Sequence, residues 1–230
     1  MTKSGKFICL LIGAIAAASA LASCSTGDKA APTAGGTAAE AKKYTFRLAE
    51  TQPPDYPTTI GDKEFAELVG ERTQGRIKID VYPSAQLGEE KAVLEQVQLG
   101  AIEFTRVSTG PVAEFNKAFG VFSLPYIFES DAHMWKFLEG SAGKKLLDDL
   151  SSAKMRGLSY YTAGARSFYS RKPLNSIDDL KGQKIRVIQN KINVDLVGAL
   201  GASATPMPNG ETFSAIQTGV IDAAENQWSR

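Results

Sequence analysis

Three stretches in which apolar and polar residues alternate, YTFRLAE from Tyr44, RIKIDVYP from Arg76 and AIEFTRVS from Ala101, are separated by two runs with helical spacing. Period-two alternation marks strands, whereas apolar residues recurring every three or four positions mark a helix. In TTIGDKEFAELVGERT the residues Ile60, Phe65, Leu68 and Val69 fall near one helical face, Pro57 favours the start and Gly75 follows the end. In EEKAVLEQVQLG the same spacing joins Val93, Leu94, Val97 and Leu99 before Gly100 stops the run. Strand, helix and strand in close succession argue for a parallel sheet covered by helices, so the expected class is α/β.

What precedes this pattern sets the compartment. Lys3 and Lys6 form a basic start, and the apolar run from Phe7 to Ala22 is too short and too alanine-rich for a comfortable membrane span. Residues 1–23 therefore read as a signal peptide. Its end, LASC from Leu21 to Cys24, resembles a bacterial lipobox, which implies that Cys24 is acylated and anchors the protein to membrane lipid. Two acyl chains suffice for stable attachment where one is marginal. Cys9 leaves with the signal, so no disulfide is expected. Residues 24–43 are rich in Ala, Gly, Thr, Ser and Pro and read as a flexible tether. Loss of two signal lysines changes the formal net charge from +1 to −1, which implies neither nucleic acid nor a polyanionic surface as partner.

From Tyr44 onward 187 residues remain, enough for one large domain or two small ones. After FGVFSLPYIF comes a helical region from about Asp131 to Ser152, then SFYSRKPL, IDDL, KIRVI, a helix from about Lys191 to Leu200, and GVIDAAEN. A boundary is expected near Thr162 to Arg166, where Gly164 allows backbone freedom. This divides the folded part into a first lobe, 44–165, and part of a second, 166–230. In LKGQKIRVIQN an arginine, Arg186, stands among Ile185, Val187 and Ile188. Alternation would point it to solvent, and these residues alone leave that reading and a functional one open.

Catalytic signatures are missing: no nucleophile elbow, no phosphate-cradling glycine loop and no familiar metal-site spacing. His133 is the only histidine and is expected on a helix surface or beside Trp135. Glu89 and Glu90 could act as paired carboxylates, but they open a helix, where the dipole favours acidic residues in any case. Phe119, Phe122, Tyr126, Phe128 and Trp135 could wall a pocket, although aromatics in such a stretch more often form core. No cofactor is expected.

Four segments in fixed order resemble the DctP family, the extracytoplasmic solute-binding proteins of tripartite ATP-independent periplasmic (TRAP) transporters. They are GRIKIDVYPSAQLGEEKAVLEQVQLGAIEF, LPYIF, GARSFYSRKPLNSIDDLKGQKIRVIQN and GASATPMPNGETFSAIQTGVIDAAENQ. The resemblance implies a two-lobed periplasmic-binding-protein-like α/β fold that closes on a ligand cleft. It also implies a small organic acid, a carboxylate or dicarboxylate, as ligand and the TRAP membrane subunits as partners. Arg186 occupies the place of an arginine that grips the ligand carboxylate, and a guanidinium fork matches a carboxylate where lysine would not. Arg166 and Asn226 match further ligand contacts. Glu90 and Ser108 fall at first-lobe positions that contact ligand in some members, while Arg106 and Arg171 read as surface or strand-end charges.

The sequence departs from the family pattern at Ile188, Asn209, Ala223 and Gln227; Asn209 stands where an aromatic often walls the cleft, which implies a more polar ligand. Family members continue past the EN motif, so the fold is expected to be truncated at the C-terminus. The expected protein is a lipid-anchored, extracytoplasmic binding subunit, in the periplasm if the envelope has one. Alternatives are a sensory ligand-binding lipoprotein of the same fold, or an exported enzyme using Glu89 and Arg186.

Overall fold

The structure, a computed structural model, describes residues 42–227, and the expected signal, Cys24 and nearly all of the tether lie outside the described residues. Strands β1 (Tyr44–Ala49), β2 (Ile77–Tyr82) and β3 (Phe104–Thr105) form a parallel sheet in the order β2-β1-β3. Tyr44 lies opposite Ile77, and the register holds through Ala49 opposite Tyr82. Parallel neighbours need a crossover rather than a tight turn. Helices α1 (Pro57–Arg72) and α2 (Glu90–Gln98) supply the two that the alternation predicts.

Two details differ from that expectation. The fully buried residues of α1 are Thr58, Thr59 and Asp62, whereas Ile60 is exposed and Phe65, Leu68 and Val69 are half-buried. The first turn of α1 packs on the polar end of β1, where the Thr58 hydroxyl donates to Glu50 Oε2 at 3.1 Å, so its polar face turns inward. Strand β3 keeps only two ladder residues, and its flanks turn to side chains: the Arg47 amide donates to Glu103 Oε2 at 2.8 Å.

Between the sheets in sequence lie α3 (Thr109–Val112), a 3-10 stretch (Lys117–Ser123), α4 (Asp131–Glu139) and α5 (Ser141–Asp149). The expected helical region thus breaks at Gly140, and α4 starts where the Ser130 hydroxyl accepts from the His133 amide at 3.1 Å. His133 is exposed, its ring edge-on to Phe128. Phe122 touches the rings of Phe119, Phe128, Phe137 and Tyr160, which makes this aromatic group core rather than cleft wall. Tyr126 departs from it: it is 98% exposed on a turn with φ +56°.

The second sheet contains β4 (Arg166–Ser170), β5 (Lys184–Val187), β6 (Ser203–Pro206) and β7 (Ala223–Gln227) in the order β4-β7-β5-β6. Strand β5 runs parallel to β6 and β7, and β4 is antiparallel to β7. Helices α6 (Lys191–Ala199) and α7 (Thr212–Gln217) make the crossovers. Gly164, two residues before β4, has φ +80°, a left-handed conformation that costs glycine little. Ile185 and Val187 pack with Leu180, Val197 and Ala223 in the core of this sheet.

Open α/β sheets bind ligands beyond the carboxyl ends of strands, where successive connections leave in opposite directions. Those points lie between β1 and β3 in the first sheet and between β5 and β7 in the second. Thr51, just past β1, and Ile188, just past β5, line one shared cleft.

Candidate functional site

Arg186, on the interior strand β5, is only 2% exposed. The solvent-facing reading is thereby excluded. Its Nε and Nη2 donate to the Met207 carbonyl at 3.0 and 2.9 Å, and Nη1 donates to the Glu225 carbonyl at 3.4 Å. Among the described residues no carboxylate forms an ion pair with it. Burial pulls this guanidinium below its ordinary pKa, opposed by the charge of Glu225, yet an arginine keeps its proton across the accessible range. The result is a buried cation whose fork is held by backbone carbonyls.

Glu225, unremarked in the sequence beside Asn226, organises the surroundings. Its Oε1 accepts from the Ile188 amide at 2.7 Å, its Oε2 pairs with Arg166 Nε, and its carbonyl accepts from Arg166 Nη2 at 3.1 Å. Arg166 thus meets the cleft region through Glu225. Asn226 Nδ2 donates to Asn209 Oδ1 at 2.9 Å, and Asn209 stands on a 3-10 turn, Asn209–Glu211, that borders the cleft.

The first sheet supplies the opposite wall. Glu90, first residue of α2, accepts at Oε1 from the Ser108 amide and hydroxyl, each at 2.8 Å. Arg106 Nη1 lies 3.5 Å from the same oxygen. Arg106 stands at the end of β3, one of the two places the sequence allows it, but it is no free surface charge: its largely buried side chain grips Glu50 with both arms, Nε to Oε2 at 2.6 Å and Nη2 to Oε1. Glu50 is itself only 1% exposed and also accepts from the Gln52 amide at 2.9 Å. A buried carboxylate needs such pairing, which explains an arginine at this strand end.

Behind this pair sits Asp62, 3% exposed, with Oδ2 lacking a hydrogen-bond partner. Burial first, and then the Glu50 carboxylate, push its pKa up to about 7, against the opposing charge of Arg106 and the Tyr161 hydroxyl. Among the described residues no group of three His, Cys, Asp or Glu side chains is placed to hold a metal.

The cleft is therefore lined by Thr51, Glu89 and Glu90 from the first sheet's side and by Arg186, Ile188 and Asn209 from the second. Of the residues singled out in the sequence, Arg186, Glu90 and Asn209 border it directly. Ser108 and Asn226 meet it through hydrogen bonds to Glu90 and Asn209, while Arg166 lies one step further back, on the Glu225 carboxylate that accepts from the Ile188 amide. The enclosed space is about 10 Å³, room for roughly one water, so the two walls stand almost closed. A wider open dent of about 450 Å³ over Phe115, Lys117 and Asp149 lies on the other side of α3 in sequence and shares no residue with this cleft.

The model of bacterial extracellular solute-binding protein, family 7 (DctP), matches residues 48–230. A solute-binding protein of Chromohalobacter salexigens is 36% identical over 82% of this chain and 56% of its own length. The C4-dicarboxylate-binding periplasmic protein DctP of Rhodobacter capsulatus is 35% identical over 81% of this chain and 56% of its own. The chain thus spans just over half the length of these relatives. A crystal structure of a TRAP periplasmic solute-binding protein from Xanthobacter autotrophicus with bound β-D-galacturonate superposes with a TM-score of 0.78 at 44% identity, covering 80% of this chain and 61% of that one.

Asp62 gives the site a measurable pH signature. An acid whose pKa is higher folded than unfolded binds its proton more tightly in the native state, so stability falls as pH rises from about 4 to about 7. The slope is at most about 1.4 kcal/mol per pH unit. Denaturant midpoints of the chain and of Asp62→Asn at pH 5 and pH 8 check this: the variant should lose much of the decline, and an equal decline in both would show that Asp62 does not carry it.

Proposed function

The chain belongs to the DctP family, bacterial extracellular solute-binding protein family 7, and we propose that its cleft captures a small organic acid with the ligand carboxylate on Arg186. The observation that carries this is the buried Arg186 guanidinium, which borders a cleft between two sheets and donates to the Met207 and Glu225 carbonyls with no ion pair among the described residues. A carboxylate entering there would complete a charge-assisted, bidentate pair in a site screened from water, where such pairs are strongest. Arg166, Asn226, Glu90, Ser108 and Asn209 are proposed to orient the rest of the ligand, directly or through the contacts just described. The matched family and the structural neighbours are solute-binding proteins, not enzymes.

Capture then proceeds by closure. Residues 44–165 and 166–230 are proposed to act as two lobes that separate to admit ligand and close when both touch it, because a ligand shifts such an equilibrium only through contacts that differ between open and closed states. Delivery to the TRAP membrane subunits is proposed as the next step, with the family match in its support. Attachment to membrane lipid is proposed through acylated Cys24; among the described residues no helix is long and apolar enough to cross a membrane.

Calorimetric titration with sugar acids and dicarboxylates tests the site. Hydrogen bonds to charged groups are worth about 1.5–3 kcal/mol each, so Arg186→Ala should weaken binding by about two to three orders of magnitude. Arg186→Lys keeps the charge without the fork and should bind measurably but weakly. Melting curves establish that both variants fold; wild-type affinity in folded variants would refute the site. For the anchor, Cys24→Ala should move the protein from the membrane fraction to the soluble one, and unchanged fractionation of a processed variant would refute lipidation.

A further inference from the structure

We infer that Glu89 makes this cleft select acids carrying a single carboxylate beside hydroxyl groups and reject dicarboxylates. The inference rests on the proposal that the cleft binds an organic acid at Arg186, and it adds what the opposite wall demands. Glu89 stands at the N-cap position of α2, where the dipole favours a carboxylate, yet its side chain makes no capping hydrogen bond and, among the described residues, its oxygens stay free for another partner. It also borders the cleft. Its Oε1 reaches towards the far wall at Gly210, where a Cβ would stand 2.5 Å away; a side chain at that position would have to displace it.

The bookkeeping of nearby charges fixes what the carboxylate can do. Arg106 is taken by Glu50, and Arg166 by Glu225. Glu90 is occupied by Ser108 and Arg106. What faces the space is one guanidinium, Arg186, and two carboxylates: Glu90, engaged through Oε1, and Glu89, which accepts no side-chain hydrogen bond among the described residues. Glu211 adds a second negative charge on the exposed lip. Burial, together with Glu90 and Glu211, raises the Glu89 pKa, with Arg186 opposing, which is the effect expected where negative charge is crowded. A hydroxyl can donate to such an oxygen and relieve it. A second ligand carboxylate offers no proton at neutral pH and meets like charge in a poorly screened site.

The test is titration of the chain, Glu89→Gln and Glu211→Gln with galacturonate and with succinate. The unsubstituted chain should prefer galacturonate by about a hundredfold. Glu89→Gln removes one charge at nearly constant shape and should narrow that ratio by about tenfold or more, with succinate tighter and galacturonate weaker, whereas Glu211→Gln should move it by less than about threefold. A ratio unchanged in Glu89→Gln, an equal shift in Glu211→Gln, or a preference for succinate in the unsubstituted chain would overturn the assignment. Binding of neither acid by the unsubstituted chain would overturn the organic-acid reading itself, and this inference with it.

Discussion

A guanidinium buried in the central strand of a sheet needs acceptors in place of its lost water, and around Arg186 backbone carbonyls supply them without an ion pair among the described residues. Stripping such an ion of water costs several kcal/mol unless hydrogen bonds replace what is lost. Here the replacements are the carbonyls of Met207, just past β6, and of Glu225, within β7. These come from the two strands adjoining β5, so the sheet ladder itself sets the fork's orientation. The Glu225 carboxylate, which might have paired with Arg186, is directed to the Ile188 amide and to Arg166. Arg186 therefore keeps its charge for a ligand.

The same economy recurs on the facing wall. Glu50 and Arg106 satisfy each other beyond the ends of β1 and β3, and Arg106 in turn leans on Glu90. The first sheet thereby brings polar side chains to the cleft without leaving a buried ion alone. The helix that follows β5 also touches the 3-10 stretch before α4, where Asn190 Nδ2, at the start of α6, donates to the Ser123 hydroxyl at 3.2 Å. A cleft built from strand ends of two sheets can be rigid in each wall and still change width between them.

Much of this was legible in the chain. The alternation of strands and helices points to the parallel first sheet, and the apolar neighbours of Arg186 mark a buried strand, although only the 2% exposure of Arg186 itself shows that its side of the strand is covered too. What escaped the sequence were partners distant along the chain. Glu50 and Arg106 are separated by 56 residues, and Arg166 and Glu225 by 59, and no local period records such pairs. In helix α1 only the first turn departs from the apolar stripe: Ile60 is exposed and Thr58 packs on Glu50 at the end of β1, whereas Phe65 further along lies edge-on to Phe104. Glu89 reads in the sequence as a helix-opening carboxylate favoured by the dipole, and it does open α2; only the fold shows that it also borders the cleft.

The central claim is that Arg186 is the carboxylate receptor of a cleft shared by two sheets. A crystal structure of the protein with a bound sugar acid tests it most directly. The account predicts both oxygens of the ligand carboxylate within about 3 Å of the Arg186 guanidinium, with the Met207 and Glu225 carbonyls still holding it from behind. A ligand carboxylate seated on other groups, with Arg186 bonded to those carbonyls alone, would contradict it.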